Sequence, residues 1–217
     1  MKTLRILVAD DHEVVRQGVK ALLEAQPGWT VVCEAADGRE ATEQAKKLKP
    51  DVAVLDISMP KLNGLEAARL ILKEVPQTEV LILTMHDSED MIREVLQAGA
   101  KGYVLKTDIG SDLVAATASL GQHKPYFTST VAEMVLEGFR RSALPTQQAR
   151  GIPRLSARER EIVQLLAEGK SNKDVAAMLC IGVKTVETHR ANSMRKLMIH
   201  SLSELVRYAV RNRMVTP

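Results

Sequence analysis

The stretch AVLDISMPKLNG, residues 53–64, decides the fold. Ala53, Val54, Leu55 and Ile57 surround one carboxylate, Asp56. A short apolar run of this kind reads as a buried strand, and the pattern over 63–74 reads as the helix that follows it. Working outward, the same beat recurs. LRILVA, TVVCEA, DVAVLD, EVLILT and KGYVL are each followed by a helical pattern or a polar loop. Helices are expected over 13–25, 38–48, 63–74, 88–98 and 108–121. EVVRQGVKALLEA spaces its apolar residues for one helical face, and residues 38–49 do so more weakly. Five strands alternating with five helices imply a doubly wound α/β domain, a parallel sheet covered on both faces.

The 217 residues suffice for one large domain or two small ones, each with its own core. With 45% hydrophobic and 26% charged residues, the composition is that of a globular protein. No stretch approaches the roughly 18 continuous apolar residues of a membrane span. MKTLRILVADDHE is too short and too soon acidic for a signal peptide. Cys33 and Cys180 sit far apart in dissimilar contexts, so neither a disulfide nor a zinc site is expected. These features point to a cytoplasmic protein with no membrane partner.

The net charge of +3 hides an asymmetry. Residues 1–139 carry 15 Lys and Arg against 21 Asp and Glu, a balance of −6, whereas residues 140–217 carry 15 against 6, a balance of +9. The split suggests two domains, the basic one facing a polyanion. The first is expected over 1–122. Residues 123–151 read as a linker, with VAEMVLEGFRR as a connecting helix and SALPTQQARGIP lacking apolar periodicity. Residues 152–217 hold four short helical segments. SARE at Ser156 and SLSE at Ser201 fit the capping box, SNKD at Ser171 is a looser version, and Gly169 is a helix stop.

A carboxylate seldom closes a buried strand without a partner or a task. Asp10 and Asp11 end the first strand and Asp56 the third. In a sheet of order 2-1-3-4-5 those strands are neighbours at the switch point, where ligands bind beyond the strand ends. Three converging carboxylates repel unless a cation sits among them, and an oxygen-only ligand set suits Mg2+. Thr84 ends the fourth strand and Lys106 follows the fifth, bringing a hydroxyl and an ammonium to the same crevice. Acids, a metal, a hydroxyl and a lysine make a phosphoryl site, with Asp56 as the nucleophile and an acyl phosphate as product. In the second half, SNKDVAAML and VKTVETHRANSMRKL, joined by CIG, fit a helix-turn-helix whose second helix enters the DNA major groove. Val186, His189 or Arg190, Ser193 and Leu197 fall at core-facing spacing, with Glu187, Thr188, Ala191 and Arg195 on the opposite face.

ILVADDHEVVRQG, DVAVLDISMPKLNGLEAAR, LILTMH and GAKGYVLK resemble the receiver domain of bacterial two-component response regulators. LSAREREIVQLLAEGKSNKDVAAMLCIGVKTVETHRANSMRKL resembles the LuxR-type helix-turn-helix. Together they resemble the NarL/FixJ family over all but the linker. The resemblance implies that Asp56 accepts a phosphoryl group from a sensor histidine kinase. It implies that Asp11 binds Mg2+ directly, Asp10 through water, Asp56 through its carboxylate and Ser58 through its backbone carbonyl. By the same resemblance, Thr84 and Tyr103 occupy the positions that family members rearrange on activation. The resemblance also implies that Glu187, Thr188 and Ala191 occupy base-reading positions on double-stranded DNA and that Lys184, Thr185, Arg190 and Lys196 hold phosphates, with Arg195 on the same DNA-facing side. The last helix, SLSELVRYAVRN, would pair two protomers, giving a homodimer when phosphorylated or DNA-bound.

The sequence departs from the family pattern at three places. Thr107 follows Lys106 where many receivers carry proline, which leaves that peptide's geometry open. Gly182 replaces the usual serine at the recognition-helix N-cap, a change worth only a few tenths of a kcal/mol. Ser193 stands where an aliphatic residue is usual. A haloacid-dehalogenase-like phosphatase would need a second Asp two residues after the nucleophile, and that residue is Ser58. Without a general acid there, no enzyme turning over a substrate is expected. The runner-up is a receiver signalling mainly through protein–protein contacts.

Overall fold

The computed structural model describes residues 3–85, 88–128, 131, 155–212 and 214–215. They form two compact units.

In the first unit, β1 (Leu4–Ala9), β2 (Trp29–Ala35), β3 (Val52–Asp56), β4 (Glu79–Thr84) and β5 (Gly102–Leu105) alternate with α1 (Glu13–Glu24), α2 (Gly38–Leu48), α3 (Gly64–Glu74), α4 (Glu89–Ala98) and α5 (Ile109–Gly121). Each lies within a residue of its expected place. All strand pairs are parallel, in the order β2-β1-β3-β4-β5. Alternation along the strands sends Ile6, Val8, Val52, Val54, Leu81, Leu83 and Val104 to one face. There they pack with Val19 and Leu23 of α1 and Leu113, Ala116 and Leu120 of α5. The intervening residues, Leu7, Ala53, Leu55, Val80 and Ile82, are equally buried on the other face, which α2 and α3 cover. Burial on both sides is why β3 reads as an uninterrupted apolar run.

The β3–α3 connection is unusually close. Asn63 caps α3 by accepting the Glu66 N–H at 2.9 Å, and the Gly64 N–H donates to the Ile57 carbonyl at 2.9 Å. A Cβ at position 64 would collide with the backbone carbonyl of Asp56. Glycine is therefore required beneath the strand end.

Beyond α5 the chain returns along the free edge of β5. The Tyr126 N–H donates to the Lys101 carbonyl at 2.9 Å and the Tyr103 N–H to the Tyr126 carbonyl at 3.3 Å, an isolated parallel bridge. At the same end, Glu79 Oε1 takes Lys101 Nζ and His123 Nδ1, each at 2.9 Å. The expected connecting helix VAEMVLEGFRR and linker SALPTQQARGIP, apart from Val131, lie outside the described residues.

The second unit contains α6 (Ala157–Ala167), α7 (Asn172–Met178), α8 (Val183–Leu197) and α9 (Leu202–Arg211) around Ile162, Val163, Leu165, Val175, Val186, Leu205 and Ala209. Capping differs from expectation in two places. Ser171 with Asp174 forms a complete box like Ser156 with Glu159. At α9, Ser201 accepts the Glu204 N–H, but the Glu204 carboxylate takes the His200 N–H at 2.8 Å and not that of Ser201. Gly169 (φ 82°) ends α6, and Cys180 (φ 52°) turns α7 toward α8. Ser193 is fully buried yet satisfied, its hydroxyl donating to the His189 carbonyl at 2.8 Å. Among the described residues no helix is long and apolar enough to cross a membrane.

Candidate functional site

Parallel pairing of β1 with β3 sets Ala9 beside Leu55. The residues one step further, Asp10 and Asp56, therefore meet at the carboxyl edge of the sheet. Both are buried, Asp10 completely and Asp56 to 3% exposure. Lys106 enters from the end of β5, its ammonium 2.7 Å from Asp10 Oδ2 and 3.0 Å from Asp56 Oδ1. The other oxygen of Asp10 accepts the His12 N–H at 2.9 Å, and the Asp10 carbonyl accepts Arg16 Nη1 at 2.8 Å. Asp11 is exposed beside them. Ligand atoms of Asp10, Asp11, His12 and Asp56 all lie within 4.8 Å of one another.

Asp56 Oδ2 is buried without a hydrogen-bond partner. Burial pushes the Asp56 carboxyl up to about 6; Lys106 opposes the shift and Asp10 adds to it. The same burial works to lower the Lys106 ammonium, but Asp56 and Asp10 outweigh it and hold it above its ordinary value. One lysine is thus shared by two carboxylates, and one carboxylate oxygen is left for something else.

Thr84 is buried at the end of β4, in register with Leu105, and Tyr103 is buried on β5 beside Ile82. Ser58 is half-buried two residues past β3. Lys106–Asp108 forms a single 3-10 turn, and the Lys106–Thr107 peptide is trans. His12 was not among the candidates read from the sequence. Its adjacency to Asp10 and Asp11 was the available signal.

On α8, Lys184, Thr185, Glu187, Thr188, Ala191 and Arg195 are exposed, Arg190 is half-buried, and Val186 and Ser193 face inward. The Thr188 hydroxyl donates to the Lys184 carbonyl at 2.9 Å, and Arg195 Nη2 to Asn192 Oδ1 at 3.0 Å. Lys196 has a different environment. Its ammonium lies 2.7 Å from Oε2 of the buried Glu159, the N3 residue of α6. The pair ties α8 to the start of α6 across 37 positions of sequence.

Burial favours the neutral form of Glu159, but Lys196 and the Ser156 N–H and hydroxyl outweigh it and hold the carboxyl below its ordinary value. Its contribution to stability is therefore present above the unfolded glutamate value, about 4.3, and is lost as pH falls through the lower folded value. Glu159→Gln should cost about 1–2 kcal/mol near neutral pH, the size of a lost cap, and flatten the acid limb. Amide exchange in α6 and α8 across that range measures it. Equal protection in both proteins would show the pair to be incidental.

Comparison with known proteins gives the same division. The response regulator receiver domain family matches residues 6–118, and the luxR family of bacterial regulatory proteins matches residues 153–209. The transcriptional regulatory protein LiaR of Bacillus subtilis is 39% identical over 215 residues, 98% of this chain and 99% of LiaR. The oxygen regulatory protein NreC of Staphylococcus epidermidis is 40% identical over 218 residues, 98% of this chain and 99% of NreC. Among solved structures, the Salmonella typhimurium RcsB response regulator aligns with a TM-score of 0.64 and 28% identity, over 96% of this chain and 97% of that one. The RcsB–DNA complex aligns at 0.57 and 27%, over 95% and 98%. The chain therefore belongs to the NarL/FixJ family of response regulators, which join a receiver domain to a LuxR-type DNA-binding domain.

Proposed function

We propose that this protein is a transcription regulator whose sequence-specific DNA binding is controlled by phosphorylation of Asp56 by a sensor histidine kinase. The observation that carries the reading is the Asp56 carboxylate, with Oδ1 on Lys106 and Oδ2 buried and unpaired. An oxygen of Asp56 bonds to phosphorus as the P–N bond of the donor phosphohistidine breaks, leaving an acyl phosphate. With its value near 6 the carboxyl is mostly ionised at neutral pH, as a nucleophile must be. Lys106 turns from the carboxylate to a phosphoryl oxygen, and the Thr84 hydroxyl donates to another. The Thr84 movement frees space that Tyr103 follows.

The oxygen-rich pocket and its unpaired buried atom fit a divalent cation. Asp10, Asp11, Asp56 and the Ser58 carbonyl would hold Mg2+, which neutralises phosphoryl charge when bound. The receiver, expected over 1–122, runs past that boundary through the edge contact of Tyr126; the rest of 123–151 is assigned as linker and 152–217 as the DNA-binding domain. In the last, Glu187, Thr188 and Ala191 read bases, while Lys184, Thr185, Arg190 and Arg195 position phosphates. Lys196, held by Glu159, supports the helix and reaches DNA only by leaving that carboxylate. The exposed polar face of α8 favours DNA over a purely protein-binding role. The structure of two RcsB dimers on two parallel DNAs supports a dimer on the operator.

The test is a titration of the full chain on duplex DNA, with and without acetyl phosphate and Mg2+. Affinity should rise by about 5–150-fold on phosphorylation, the usual range of coupling. An unchanged isotherm would leave the DNA-binding domain outside the control of Asp56. For a dimer neutralising a few phosphates per protomer, log K should fall with log[salt] at a slope of about −4 to −8. A slope near zero would rule out phosphate-dominated binding.

A further inference from the structure

The acid pocket contains a donor that an oxygen-only site does not need. His12 Nδ1 lies 2.7 Å from Asp11 Oδ1 and 3.3 Å from Asp10 Oδ1. Two neighbouring ligands of an octahedral ion, each about 2.1 Å from it, are about 3 Å apart. Both separations of the ring nitrogen from the carboxylates are close to that spacing. Asp56, whose Oδ2 is buried and unpaired, belongs to the same cluster and marks a place for a cation.

The imidazole is set there by the backbone. The His12 N–H donates to Asp10 Oδ1 at 2.9 Å, and the His12 carbonyl accepts the first helical N–H of α1, from Arg16, at 3.0 Å. As N-cap of α1 the residue makes no side-chain capping bond. Its ring is therefore not needed to start the helix, and it leans over the two carboxylates.

We infer that His12 is a ligand for borderline divalent cations, giving the pocket a preference for Ni2+, Co2+ or Zn2+ over Mg2+. Carboxylates and carbonyls suit Mg2+ and Mn2+, whereas an imidazole nitrogen shifts the balance toward the later transition metals. Two carboxylates and one imidazole would leave positions of a six-coordinate ion for water and for a phosphoryl oxygen. The assignment rests on the reading of this pocket as a divalent-cation site. It adds a residue that selects among cations.

The experiment is calorimetric titration of the full chain with Mg2+ and with Ni2+ at one buffered pH, because metal affinity depends on pH. Wild type should bind Ni2+ more tightly than Mg2+. His12→Ala should weaken Ni2+ by roughly tenfold to a hundredfold or more, since even outer-shell partners of a ligand are worth that much, and leave Mg2+ nearly unchanged. His12→Asp, which returns an oxygen donor, should not restore Ni2+. An unchanged Ni2+ to Mg2+ ratio in His12→Ala, or full Ni2+ affinity in His12→Asp, overturns the inference while Mg2+ binding and Asp56 phosphorylation stand. Wild type that binds neither cation overturns the pocket reading as well.

Discussion

Asp56→Asn should take up no phosphoryl group from acetyl phosphate and Mg2+, under conditions in which the wild-type chain gains one. Asp10 is no substitute, because its two oxygens are held by Lys106 and by the His12 N–H. Asp11 lies at the rim, with His12 Nδ1 at 2.7 Å. Intact mass measurement decides it, and a comparable adduct on the variant would remove Asp56 from the mechanism. The same substitution should have an opposite effect on stability. A carboxyl raised from 3.8 to about 6 by burial stabilises the fold when protonated. That contribution is complete at low pH and is lost as pH rises through about 6. Near pH 7 and without divalent cations the ionised group costs about 2–3 kcal/mol. Asparagine removes that cost, so the inactive variant should melt higher than wild type. A lower melting temperature would mean that the lost ion pair with Lys106 outweighs relief of the buried charge.

Gly64→Ala should be the most damaging single-methyl change in the receiver. The new Cβ meets the carbonyl of Asp56, part of the backbone that positions the nucleophile, and no side chain can swing aside. Overpacking of this kind costs about 3 kcal/mol or more, and relaxation would displace the end of β3. Thermal unfolding should show a large loss, with slower phosphoryl uptake in whatever remains folded. Gly18→Ala is the control. That glycine lies inside α1 with open space around its Cβ position, so alanine there should stabilise by about 0.5–1 kcal/mol. Equal effects at the two sites would show that close approach at Asp56 is not what requires glycine.

Much of this was legible in the sequence because periodicity and burial act locally. Apolar runs of five or six residues between helical patterns place every strand, and parallel pairing then brings Asp10, Asp56 and Lys106 together. What was hidden depends on partners remote in sequence or on side-chain direction. Lys196 looks like one more basic residue on a basic helix. Its commitment to Glu159 depends on the crossing of α8 with α6, which no local pattern encodes. Ser193 looks like a weak point in an apolar stripe until its hydroxyl is seen on the carbonyl one turn back. The direction of the His12 ring follows from its backbone hydrogen bond to Asp10, a two-residue turn that adjacency suggests but does not specify. HKPY, a polar stretch with no strand pattern, gave no sign that Tyr126 would join the sheet.

That last feature bears on where the receiver can be cut. β5 is an edge strand, and an edge with free amides and carbonyls is a template on which another chain can pair. Tyr126 blunts it by occupying the Lys101 carbonyl and the Tyr103 amide, while its ring packs against the core. A piece ending at the close of α5 would strip this cover and leave a sticky margin beside Tyr103. The receiver is longer than its last helix suggests, and a fusion or truncation made beyond Tyr126 keeps its own hem.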